Sequence, residues 1–197
     1  MLKNKIFQIS VLVSFLTGMQ AVGQEKKWNI DPSHSGISFT AEYMSVTDVQ
    51  GKFTKFNGTA ITEGTTFNGT EVSVTIQAGS IDTDNDKRDG HLRSEDFLHT
   101  EKYPEITFKS LAFSQEHGDD YQIKGELTMR GITKTEVFDV EYKGKVDMGQ
   151  EERAGFVLTG TINRFDYGVD WSKNFSKGLV VGEEIKIKCD VLLVSEE

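Results

Sequence analysis

YQIKGELTMR, residues 121–130, sets Tyr121, Ile123, Gly125, Leu127 and Met129 against Gln122, Lys124, Glu126, Thr128 and Arg130. Successive side chains of a β-strand point to opposite faces, so this strict alternation describes a strand with one face buried and one wet. The same period returns elsewhere. Ile37, Phe39, Ala41 and Tyr43 carry it, as do Val72, Val74 and Ile76, and Ile185, Ile187, Cys189, Val191 and Leu193 repeat it near the C-terminus. Looser alternation runs through 52–62, 105–114, 134–146 and 154–164, which brings the count to about eight strands. Asn57-Gly58, Asn68-Gly69, Gly118-Asp119 and Arg130-Gly131 supply turn chemistry within or between them. A sustained 3.6-residue period is absent, so the chain reads as all-β and antiparallel.

A sandwich and a closed up-and-down barrel both accommodate eight strands. Several strands reach ten residues or more, beyond the about five or six usual in globular sheets, and this favours an extended eight-stranded antiparallel β-barrel. Such a barrel is filled by side chains or holds one small ligand. Ala41, Gly125 and Gly160 on apolar faces leave room inside, whereas the neighbouring phenylalanines could fill it; the sequence leaves both possibilities open.

The 197 residues carry 22 Lys+Arg against 31 Asp+Glu, one cysteine and 13 phenylalanines. An acidic chain is poorly matched to nucleic acid or to an anionic membrane surface, both of which recruit Lys and Arg. One cysteine makes no intramolecular disulfide and no multi-cysteine zinc site. Met1 to Gly23 reads as a cleaved export signal: Lys3 and Lys5, an apolar run from Ile6 to Leu16, then Ala21-Val22-Gly23. That run is too short to span a bilayer, which needs about 20 residues. Its removal takes away two lysines and moves the net charge from −9 to −11. The expectation is a periplasmic protein of residues 24–197, without a stable membrane anchor and with its stability in an apolar core.

Two connections exceed hairpin length, 80–104 and 163–183. The first holds a short helix over Asp89–Leu98 carrying Leu92, Phe97 and Leu98; the second holds Trp171, Phe175 and Leu179. Aromatic residues in long loops must be buried somewhere, and a barrel mouth provides the place. Asp82-Thr83-Asp84-Asn85-Asp86 resembles the start of a calcium loop but has Lys87 and Arg93 where glycine and glutamate are required. His34, His91, His99 and His117 form no paired zinc motif, and nucleophile-elbow, P-loop and dinucleotide signatures are missing. Catalytic residues, metal ligands and cofactors are therefore expected to be none.

Six motifs then fall in order: Asp31-Pro32-Ser33-His34-Ser35; Gly51-Lys52-Phe53 with Phe56-Asn57-Gly58; Asp89-Gly90-His91-Leu92-Arg93 with Asp96-Phe97; Tyr103-Pro104-Glu105-Ile106-Thr107-Phe108-Lys109-Ser110; Gly125-Glu126-Leu127-Thr128-Met129-Arg130-Gly131; and Asn163-Arg164 with Gly168. Together they resemble the YceI family of exported bacterial proteins over about residues 28–194. Tyr43-Met44 and Leu98-His99 depart from its pattern. The resemblance implies a lipocalin-like barrel with an apolar tunnel for an isoprenoid chain, a polyprenyl phosphate or quinone tail, or a fatty-acid amide. Phe39, Phe53, Ile76, Phe108, Ile123, Leu127, Phe138, Phe156 and Ile187 would line that tunnel, with Leu92, Phe97 and Trp171 closing it. His34, His91, Arg93 and Arg164 would meet a polar head group, unless the two arginines pair with Asp86, Asp89, Asp96 or Asp166. A hydrolase acting on a barrel-bound lipid and an interaction module with a plugged barrel are the alternatives. A homodimer that covers an apolar rim fits the same picture.

Overall fold

The computed structural model describes residues 25–175 and 178–196. The export signal expected over residues 1–23 lies outside them. The strands are β1 (Glu25–Ile30), β2 (Gly36–Tyr43), β3 (Thr47–Phe53), β4 (Phe56–Glu63), β5 (Glu71–Gln77) and β6 (Ile81–Asp82). After helix α1 (Asp86–Arg93) come β7 (Glu105–His117), β8 (Asp120–Met129), β9 (Ile132–Asp147) and β10 (Glu152–Asn163). Two short strands, β11 (Asn174–Phe175) and β12 (Gly178–Leu179), precede β13 (Val181–Ser195).

These segments make eight barrel staves. β1 and β2 both lie antiparallel to β13, β1 along Leu193–Ser195 and β2 along Val181–Asp190, so they form one stave interrupted at residues 31–35. β3 and β4 form the next, since β3 pairs β2 and β4 pairs β1. β5 and β6 form the third, pairing with β4 and β3. The meander continues through β7, β8, β9 and β10 to β13, which closes the barrel on the first stave. The eight expected strands are therefore present. Three are each broken once, because long staves on a small barrel must bend.

Bends and bulges account for the looser alternation. β7 carries Ile106, Phe108 and Ser110 inward, but Leu111 is bulged between Ser110 and Ala112 and projects into solvent. The extra residue resets the register, so Phe113 faces in opposite Ile123. Ser110 serves the same break: its Oγ accepts the Val72 N–H at 2.7 Å where the β5–β7 ladder ends. A second bulge shifts β9 against β10 beside Gly155. β8, which has none, keeps strict alternation, and it joins β9 through a two-residue turn, Arg130-Gly131, with both φ angles positive as a type I′ turn requires.

α1 begins and ends earlier than the expected Asp89–Leu98. Asn85 accepts the Arg88 N–H at 3.0 Å and caps the helix, and Ser94 ends it. The acidic run is thus used locally: Asp82 accepts the Asp84 N–H, and Asp86 lies in the first helical turn. Asp89, buried, accepts from both the N–H and the hydroxyl of Thr83.

Candidate functional site

The inward faces enclose a cavity of about 280 Å³. Its lining is hydrocarbon apart from Ser35, Thr59, Thr70, Cys189, Asp190 and Arg164. Phe39, Phe53, Ile76, Leu92, Phe97, Phe108, Ile123, Leu127, Phe138, Phe156 and Ile187 all lie on its wall. Of these, Phe39, Phe53, Ile76, Leu92, Phe108, Leu127 and Ile187 are only partly buried although they point inward. Their open surface is the surface facing the cavity. Cys189 lies on the same wall, and burial pushes its thiol up to about 12, so it is uncharged near neutrality and is a poor nucleophile there.

The head-group candidates separate. His34 is exposed and pairs with Asp31 at 2.7 Å in the stave break, away from the cavity lining. His91 is also outside the lining; its Nε2 meets Asp96 at 2.8 Å. Arg93 is committed elsewhere, its Nε donating to Gly79 O and its Nη2 to Ile81 O, each at 2.9 Å. Among the described residues β6 pairs only with β3, so its other edge would otherwise leave the Ile81 carbonyl bare. Trp171 stands behind Phe97, not on the cavity wall. It packs against Phe97 at 5.2 Å between ring centroids and against His91 at 5.2 Å, while Phe97 itself reaches the cavity.

Arg164 alone of the four lines the cavity, and it is almost fully buried. Neither arginine pairs with Asp86, Asp89, Asp96 or Asp166. The Arg164 guanidinium donates to four carbonyls: Gly182 at 2.8 Å, Trp171 at 2.9 Å, Val181 at 3.0 Å, and Val169. It thereby ties Val169 and Trp171 to the start of β13. Burial lowers its pKa, with Glu183 and Asp170 opposing that shift. Beside it the buried Tyr167 donates its hydroxyl to Glu136 at 2.6 Å, and burial followed by that bond keeps the phenol protonated far into alkali.

The sequence reading misses the opposite end of the cavity. Phe67, in the β4–β5 connection, turns back into the barrel and packs on Trp28 and Tyr142, each at 5.4 Å, and edge-on to Phe156 at 4.9 Å. Gly69 N–H to Phe113 O at 2.8 Å and Gln115 N–H to Asn68 at 3.2 Å hold the loop in place. The signal was available: an aromatic between Gly64 and Gly69 in an otherwise polar connection has to be buried somewhere.

The YceI-like domain matches residues 28–193. A UPF0312 protein of Staphylococcus aureus (strain bovine RF122 / ET3-1) is 33% identical over 164 residues, covering 82% of this chain and 93% of its own. The Campylobacter jejuni YCEI protein superposes with a TM-score of 0.67 at 25% identity, covering 79% of this chain and 90% of that one. A polyisoprenoid binding domain from Saccharophagus degradans, implicated in plant cell wall breakdown, superposes with a TM-score of 0.63 over 84% and 97% of the two chains. At 15% identity it speaks for the fold alone. An apolar, eight-stave barrel matched along nearly its whole length makes this chain a member of the YceI-like family.

Proposed function

We propose that the protein holds one long apolar chain, isoprenoid or fatty-acyl, inside the barrel, and that it does so as an exported, periplasmic carrier or sequestering protein. The observation that carries this reading is the enclosed cavity whose wall is almost wholly hydrocarbon. Each buried methylene contributes about 0.8 kcal/mol, so a chain of ten buried carbons gains about 8 kcal/mol. Association costs about 4–15 kcal/mol, which makes short chains weak ligands and long, cavity-filling ones tight. The Saccharophagus polyisoprenoid binding domain shares this barrel fold, an architecture with room for such a chain. A binding role also fits two polar groups of the site: Arg164 is engaged in holding backbone carbonyls, and the Cys189 thiol is uncharged.

Native mass spectrometry of the protein purified from its own host, followed by solvent extraction, tests this. An apolar chain of defined mass, at about one per barrel, is the expected result. Empty protein that also fails to take up added long-chain lipid would overturn the reading.

A further inference from the structure

Three phenylalanines of the cavity wall each lie across a glycine. Phe39 on β2 covers its direct partner Gly51 on β3, Phe108 on β7 covers Gly125 on β8, and Phe138 on β9 covers Gly160 on β10. A β-carbon built at Gly51 would overlap the Phe39 ring and lie 2.7 Å from its Cε1, with Thr83 Cγ2 also at 2.7 Å. At Gly125 it would overlap Phe108 and come within 2.5 Å of the Lys109 carbonyl oxygen. At Gly160 it would overlap Phe138 Cδ1 and lie 3.2 Å from Cε1, with no backbone atom among its nearest neighbours. None of the three has a positive φ, so backbone conformation does not demand glycine. What demands it is the ring lying over the Cα.

We infer that these three glycine seats set the bore of the cavity and so determine which chains enter it. The inference rests on the binding reading above. A ring seated on glycine lies along the sheet, close to the wall, and leaves the barrel axis clear. With a β-carbon in the seat the ring must rotate away from the wall, and on an inward face the free direction is the lumen. A large aromatic can then line a barrel without filling it, because the glycine opposite has given up the volume of its own side chain. The seats should act most strongly on thick cargo. A polyprenyl chain carries a methyl branch on every isoprene unit and is thicker than a straight acyl chain, so narrowing the bore disfavours it first.

Gly160→Ala is the sharpest test, since only the Phe138 side chain stands in the way. The purified protein, Gly160→Ala, and Gly160→Ala/Phe138→Leu are titrated with a polyprenyl quinone and with palmitamide, with binding followed by native mass spectrometry. Gly160→Ala is expected to weaken the quinone about tenfold, equivalent to losing the contact of about two methylenes, and palmitamide by less. Trimming the ring in the double variant should restore most of the loss. Unchanged quinone binding in a Gly160→Ala protein with native circular dichroism would overturn the inference, as would a loss that the double variant does not recover. If the unaltered protein binds neither chain, it is the binding reading that fails. The seats are then judged by the crystal structure of Gly160→Ala: a Phe138 ring turned into the lumen upholds them, and a ring left in place refutes them.

Discussion

At one end of the barrel Phe67 sits among Trp28, Tyr142 and Phe156, with Phe113 and Tyr121 extending an aromatic floor. At the other, the lid is two long connections joined by the Phe97–Trp171 and His91–Trp171 contacts and by guanidinium groups spread over backbone carbonyls. Arg130 adds a third such guanidinium, donating to Glu95 O at 3.0 Å and to Phe97 O. The floor is held by apolar burial, which has no direction and scales with area. The lid adds directed hydrogen bonds from Arg93, Arg130 and Arg164 to backbone carbonyls, whose strength depends on geometry and not on area. The two ends are therefore held by different forces.

The largest effect is expected at the floor. Phe67→Ala should destabilise the whole barrel by about 3–5 kcal/mol in urea unfolding, the range for truncating a buried phenylalanine. Arg164→Met comes next, at about 3 kcal/mol: the carbonyls lose their donor at about 1–3 kcal/mol each, and removal of a desolvated guanidinium offsets much of that loss. Its signature differs from that of Phe67→Ala: faster amide exchange concentrated in residues 164–182, with β7–β9 protected as before. Arg164→Lys should recover little, since an ammonium cannot span four carbonyls as a planar guanidinium does. Trp171→Ala is expected to cost less, about 1–2 kcal/mol, because the ring is half-buried, yet to speed release of a bound chain. If Trp171→Ala costs as much as Phe67→Ala, or if the floor variant alone speeds release, the contrast between the two ends is wrong.

Two smaller effects involve protons. The Cys189 thiol is raised in the folded barrel to about 12 from an ordinary value of 9, so the fold binds this proton more tightly than the unfolded chain does. Its contribution to stability is complete below about pH 9 and is lost as the pH climbs towards 12. Tyr121 and Tyr142, raised mainly by burial, act in the same direction from a higher starting pH. Cys189→Ala should flatten the fall in melting temperature between pH 9 and 11, and the native thiol should resist iodoacetamide at pH 8 until urea is added. The smallest effect belongs to Glu152, which Lys26 and Lys145 hold below the usual carboxylate range at 2.6 and 3.1 Å. That contribution exists above the unfolded value and fades as the pH falls through the folded one, and 1 M salt should remove most of it. A Glu152→Gln variant compared at low and high salt measures it.

The division between legible and hidden features follows from the length of the interactions. Alternation depends only on neighbouring positions, so the strands were readable, most cleanly where β8 has no bulge. The inward residues came with it, since period two assigns every side chain to a face once one is assigned. The bulge at Leu111 and the stave breaks were not readable, because they are set by where neighbouring strands end. The head-group candidates show the limit most clearly. His34, His91, Arg93 and Arg164 were chosen for what imidazole and guanidinium can bind, but a buried guanidinium bonds whichever acceptors lack partners. Here those acceptors are the carbonyls of Gly79, Ile81, Val169, Trp171, Val181 and Gly182, brought within reach by tertiary packing that no local pattern reveals.

From sequence alone came an all-β barrel, its eight staves, its inward phenylalanines and the two long connections at one end, because each follows from residue type and local spacing. Whether those phenylalanines filled the barrel or lined it was decided only in three dimensions. Gly51, Gly125 and Gly160 lie far in sequence, or on another strand, from the rings they receive, and register brings each pair together. Packing across strands, and not composition, left the cavity open.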